Sequence, residues 1–130
     1  MKYIYTATFT EEDGKVYARV PDLDGCVTTG NDLQEAIDLI TDAASVWLVS
    51  AEDAGDEIPA ATPQAELARD GRAACSLIQL DTIAYRAETD TRAVRKNVSL
   101  PAWMATLADK RRINCSQVLQ EALQERLDIA

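Results

Sequence analysis

Residues 93–100 read AVRKNVSL and run directly into Pro101, and this junction decides how the last third of the chain is built. The octet alternates, so Val98 and Leu100 fall on one face of a short strand while Arg95, Asn97 and Ser99 fall on the other. Pro101 suits the first position of a helix, where its missing N–H would have no partner anyway. A first helix is therefore expected over 102–112. Ile113, Asn114 and Cys115 form the turn, in which Asn114 can take the left-handed conformation that ends a helix, and Ser116 then caps a second helix. Val118, Leu119, Ala122, Leu123, Leu127 and Ile129 supply that helix with an apolar stripe.

A unit of this size, residues 92–130, cannot bury a core alone, and its single strand leaves two unpaired edges. A second copy solves both problems. In a two-fold homodimer the strands pair antiparallel, and four helices close over Val98, Leu100, Met104, Leu107, Val118, Leu119 and Leu123. Arg95, Asn97 and Ser99 then face outward from a two-stranded ribbon that fits the major groove of DNA, where Arg reads guanine and Asn reads adenine. Ser116 and Gln117, in the first turn of the second helix, add N–H groups able to hold a phosphate. The plainer reading of the same residues is a polar strand face on a dimerisation unit.

The chain has 130 residues and a net charge of −9, which by itself argues against nucleic acid. The distribution of that charge argues the other way. Residues 1–80 hold five basic and fifteen acidic side chains, whereas between 91 and 112 Arg92, Arg95, Lys96, Lys110, Arg111 and Arg112 face Asp109 alone. An acidic half precedes a locally basic one. Lys110, Arg111 and Arg112 read first as a solvated helix end favoured by the helix dipole, within reach of a DNA backbone.

The strand, the Leu100-Pro101 junction, the Ser116 cap and Ala122-Leu123 in the second helix together resemble the ribbon-helix-helix repressors. The resemblance covers nearly the whole of 92–130, with Asn114 where the family has a turn glycine. It implies binding of operator DNA through Arg95, Asn97 and Ser99.

Upstream, residues 2–9 (KYIYTATF) and 15–20 flank the turn Glu11-Glu12-Asp13-Gly14 and form a β-hairpin. Residues 26–29 make a third short strand after Pro21-Asp22-Leu23-Asp24-Gly25. Asp32 then caps a long helix, with Glu35 three residues on, and Leu33, Ile37, Ile40, Ala44, Trp47, Leu48 and Ala51 recur on one face. Residues 54–71 read as a loop with a helical turn near 64–69, and 76–81 as a last strand. The expected organisation is α+β, with a first domain over 1–81, a linker over 82–91 and a second domain over 92–130.

Pro21-Asp22-Leu23 with Gly25-Cys26, then Thr29-Gly30-Asn31 leading into a Leu-Ala-Ile helix, resembles the HicB antitoxin family over residues 1 to about 60. The resemblance implies a partial ribonuclease-H-like α/β domain, a three- or four-stranded sheet with one long helix, that lacks nuclease function. It also implies a small basic HicA-type toxin, which cleaves mRNA, as partner. A strongly acidic domain fits such a partner by sign, since it can occupy and steer toward a phosphate-binding surface. Operator binding would then autoregulate the operon. An acidic surface can equally serve solubility alone. The alternative function is a ribbon-helix-helix repressor whose acidic domain senses a small ligand. Whether two dimers join into a tetramer is left open.

Asp22, Asp24, Asp32 and Asp38 could in principle hold a catalytic metal. Two of them lie in a turn and Asp32 is better used as a cap, so no enzyme activity, metal or cofactor is expected. Cys26, Cys75 and Cys115 are odd in number and widely spaced, and with no His in the chain they read as reduced thiols. Trp47 and Trp103 read as packing residues. The opening MKYIYTATFTEEDG lacks a secretory h-region and no run spans a membrane, so a cytoplasmic location is expected.

Overall fold

A computed structural model of the chain describes residues 1–67 and 73–129. The first half is a four-stranded antiparallel sheet with one face covered by a long helix. Strand β1 (Lys2–Glu12) turns into β2 (Lys15–Arg19) through Asp13 and Gly14, with φ of 51° and 75°. Two successive positive φ values define the tight turn whose twist matches that of the flanking strands. Strand β3 (Val27–Gly30) pairs with β2, and β4 (Ala74–Asp81) pairs with the other edge of β1, giving the order β3-β2-β1-β4.

Helix α1 (Leu33–Ala54) begins where Asp32 Oδ1 accepts the Glu35 N–H at 2.8 Å. The Glu35 carboxylate takes the side-chain amide of Asn31 at 3.4 Å. Gly30 makes the approach of β3 to α1 possible, because a Cβ there would lie 2.6 Å from the Ala36 nitrogen. Gly55, at φ 71°, ends the helix in the left-handed region.

Odd positions of β1 (Tyr5, Ala7, Phe9), together with Val16, Ala18, Ile78 and Leu80, meet Ala36, Ile40, Ala44 and Leu48 of α1 in one core. Val20, Leu23 and Cys26 close its end. Burying side chains such as Ile40, Leu48 or Leu23 contributes about 1.5–3 kcal/mol each. Leu33, expected on this face, is exposed instead, because the inward stripe begins one turn later at Ala36. Ile37 and Trp47 are partly buried at its margin.

The loop after α1 carries a short helix α2 (Gln64–Leu67), and the rest of the turn expected at 64–69 lies outside the described residues. Tyr5 OH donates to the carbonyl of Pro59, and Asp22 accepts the Thr62 N–H at 2.9 Å and its hydroxyl at 2.6 Å. These bonds pin the loop beside the sheet.

Residues 82–91, expected as a linker, are helical over α3 (Thr82–Thr89). Asp81 caps this helix by accepting the Ile83 and Ala84 N–H groups at 3.1 Å each. Polar contacts rather than an apolar stripe dock it on α1: Tyr85 OH donates to Asp42 at 3.2 Å, and Arg86 pairs with Glu52 at 3.2 Å and Asp53 at 2.9 Å.

Beyond it, residues 90–101 form neither helix nor ladder. The strand expected over 93–100 is thus not formed in the single chain, which has no second strand there to complete its hydrogen bonds. Helices α4 (Ala102–Lys110) and α5 (Cys115–Ile129) follow.

Candidate nucleic-acid interface

The two C-terminal helices are joined by a turn whose chemistry differs from expectation. Pro101 is the residue before α4 rather than its first member, and its carbonyl accepts the Met104 and Ala105 N–H groups. At the other end Ile113 N–H bonds to Ala108 O at 3.0 Å and Arg112 N–H to Asp109 O at 3.1 Å. This pair of bonds closes a helix when the residue after the cap is left-handed. That residue is Arg112, at φ 54°, and not Asn114.

Asn114 takes the role expected of Ser116. Its Oδ1 accepts the Gln117 N–H at 3.1 Å and its carbonyl the Val118 N–H at 3.1 Å, so α5 starts at Cys115. Asn and Ser accept equally well at a cap, and the extra length of helix favours the earlier one. Ser116 and Gln117 therefore lie inside the first turn of α5, where the Gln117 N–H is taken by the Asn114 side chain and the Ser116 N–H has no intrahelical acceptor.

Arg95, Asn97 and Ser99 are exposed in the segment between α3 and α4. Among the described residues Arg95, Lys96, Lys110, Arg111 and Arg112 make no ion pair, whereas Arg92 is engaged with Asp90 at 2.9 Å. That bond holds the Asp90 carboxyl below its ordinary range. The charge left available is basic.

After Thr82 no described side chain is buried. Val94, Val98, Leu100, Trp103, Met104, Leu107, Ile113, Val118, Leu123 and Leu127 are all exposed, Val94 at 89% and Trp103 at 63%. Leu119 is partly covered, and the side chain of Ile129 lies outside the described residues. Among the described residues, these two helices and the segment before them thus leave a large apolar surface open.

The first half is charged the opposite way. Within 1–67 the basic residues are Lys2, Lys15 and Arg19, all at positions facing away from α1, while α1 bears Glu35, Asp38, Asp42, Glu52 and Asp53. The four aspartates weighed as metal ligands have separate structural tasks. Asp22 holds Thr62, the Asp24 carbonyl accepts Trp47 Nε1 at 2.9 Å, Asp32 caps α1, and Asp38 accepts from Gln34 at 3.3 Å. Burial alone raises the pKa of the Cys26 thiol, which keeps it a packed thiol. No helix among the described residues is long and apolar enough to cross a membrane.

Solved structures similar to this chain include an antitoxin and chains of toxin–antitoxin complexes. The Burkholderia pseudomallei antitoxin HicB is 21% identical, with 96% of this chain and 98% of that chain covered at a TM-score of 0.57. A chain of the toxin–antitoxin complex from Streptococcus pneumoniae is 18% identical, covering 97% of this chain and 99% of its own at 0.57. A chain of the HicA3 and HicB3 toxin–antitoxin complex is 19% identical, covering 61% and 99% at 0.52. At these identities the likeness is one of fold. No curated protein matches the sequence. The model of the HicB-like antitoxins of bacterial toxin–antitoxin systems matches residues 5–124, nearly the whole chain and both of its halves, and the chain belongs to that family.

Proposed function

We propose that this chain neutralises a HicA-type mRNA-cleaving toxin with its N-terminal domain and represses its own operon with its C-terminal module. The first domain serves as a partial ribonuclease-H-like scaffold, extended by α3 to Thr89, that binds rather than cleaves. Two of the carboxylates weighed for a metal, those of Asp22 and Asp32, are engaged by a loop contact and a helix cap. Residues 92–130 act as a ribbon-helix-helix homodimer, in which the segment 93–100 becomes a strand by pairing with its counterpart.

The observation that carries the DNA-binding part is the coincidence of ten exposed large apolar side chains with a run of unpaired cations in one small unit. Dimerisation would bury the first and gather the second on one surface. Arg95, Asn97 and Ser99 would then read base edges, while Ser116, Gln117 and the Lys110–Arg112 end would meet phosphates.

Two measurements test this. A neighbouring gene should encode a short basic protein, with which the chain should co-purify and whose cleavage of RNA it should suppress. It should also retard its own promoter in a gel, and Arg95→Ala or Asn97→Ala should weaken that binding by about 1–3 kcal/mol with the dimer intact. A chain that ignores both the neighbouring protein and the promoter overturns the proposal.

A further inference from the structure

Helix α1 has a second apolar stripe at the edge of the core. Leu39, Ala43 and Val46 recur at spacings of four and three; Ala43 packs against the core, while Leu39 and Val46 are 39% and 46% exposed. Beside this stripe α1 and the turn before β3 enclose an open groove of about 600 Å³, lined by Cys26, Ala43, Val46, Trp47, Ser50 and Asp56 among others. Its floor is rigid. Trp47 is half-buried and its indole N–H holds the Asp24 carbonyl, while Cys26 beneath is 4% exposed. Gly25, at φ 78°, gives the turn a shape that residues with a Cβ rarely adopt.

The surroundings of the groove carry one sign. Asp24 and Asp56 belong to the loops at its side. Neither has a cationic partner among the described residues, and no Lys or Arg lines the groove. An apolar floor with an uncompensated acidic border favours an occupant that is apolar at its centre and basic around it.

We infer that this groove is the toxin-docking site of the N-terminal domain: a basic protein surface seats an apolar side chain against Val46 and Trp47 and sets Lys or Arg against Asp24 and Asp56. Docking here rests on the antitoxin reading above and gives that reading its surface. The opposite face of the sheet, with Leu77, Ile4 and Tyr17 exposed beside Lys2, Lys15 and Arg19, then has no part in toxin capture.

The test uses the full chain and, as probe, a short basic protein encoded by a neighbouring gene, purified in a form that does not cleave RNA. Val46→Arg places bulk and charge in the apolar centre of the groove and should weaken binding at least about 100-fold, the loss typical of a central interface residue. The double variant Asp24→Lys with Asp56→Lys should slow association and flatten its dependence on salt. Leu77→Arg, on the far face, should bind as the unaltered chain does. Circular dichroism and melting temperature check that each variant is folded. A folded Val46→Arg chain that binds at full strength, or a folded Leu77→Arg chain that does not bind, overturns the groove while leaving the antitoxin reading in place. Failure of the unaltered chain to bind the probe overturns both.

Discussion

The guanidinium of Arg86 lies 3.2 Å from Glu52 and 2.9 Å from Asp53, and so straps α3 across the end of α1. Burial works against the Arg86 charge, but the hydrogen bonds to Asp53 and Glu52 outweigh it and raise its pKa. Glu52 is the better buried partner and also accepts from Tyr3 and Thr82. Arg86→Ala should therefore release α3 more than it harms the sheet. The expected cost is about 1 kcal/mol, allowing for solvent screening of a partly exposed pair. Hydrogen exchange should quicken in residues 83–89 while β1 and β4 stay protected. Unchanged protection of α3 would mean that the Asp81 cap and Tyr85 hold it unaided.

Tyr3 donates to Glu52 at 2.7 Å, and its pKa is pushed up to about 12 by desolvation first and by that carboxylate second. A phenol with a folded pKa above its unfolded value of 10.0 contributes stability that is complete below pH 10 and lost as pH rises toward 12. Tyr3→Phe should cost about 1.5–3 kcal/mol at neutral pH, the range for a hydrogen bond to a charged group. The difference in urea midpoint between the two proteins should shrink from pH 10 to 12. A constant difference would mean that the bond to Glu52 does not shift the titration of the Tyr3 hydroxyl.

The elements legible in the sequence are those driven by apolar period and turn chemistry. The Asp13-Gly14 hairpin, the Asp32 cap and the Ile40-Ala44-Leu48 stripe are local signals with local consequences, and each appears in the fold. Two kinds of feature are not legible. Helix α3 depends on Glu52 and Asp42, some thirty to forty residues upstream, and Thr82–Thr89 carries no record of them. The α4–α5 turn differs from expectation because Asn114 is suited both to a left-handed position and to a cap. The structure uses it as the cap and puts the strained backbone on Arg112. The groove beside Val46 is hidden for a third reason, since apolar residues on two sides of one helix blur into a single hydrophobic segment.

Dimerisation should be separable from the fold of the first domain. Val98 and Leu123 are 58% and 48% exposed in the single chain, so charging them disturbs no described contact. If a second copy covers them, Val98→Lys or Leu123→Asp should convert the full chain to monomers in sedimentation and abolish promoter binding. The melting of the N-terminal sheet should stay where it was. A dimer that survives both substitutions would have to be held through residues 1–89.

Arg112 offers a test in which structure and recognition should move in opposite directions. A non-glycine residue at φ 54° carries a steric cost of about 1–2 kcal/mol, because its Cβ crowds the neighbouring carbonyl. Glycine at this position keeps the Ile113 to Ala108 and Arg112 to Asp109 backbone bonds and removes that crowding. Part of the gain is lost to the greater freedom of glycine in the unfolded chain, so Arg112→Gly should stabilise the C-terminal module by about 1 kcal/mol or less. The same change deletes one of the unpaired cations beside the proposed DNA surface. If the guanidinium meets a phosphate, promoter affinity should fall for all sequences alike, and the slope of log affinity against log salt should decrease by about one. A more stable protein with an unchanged salt slope would place the Lys110–Arg112 end away from DNA. A less stable one would mean that the Arg112 side chain packs across the dimer, outweighing the strain of its backbone.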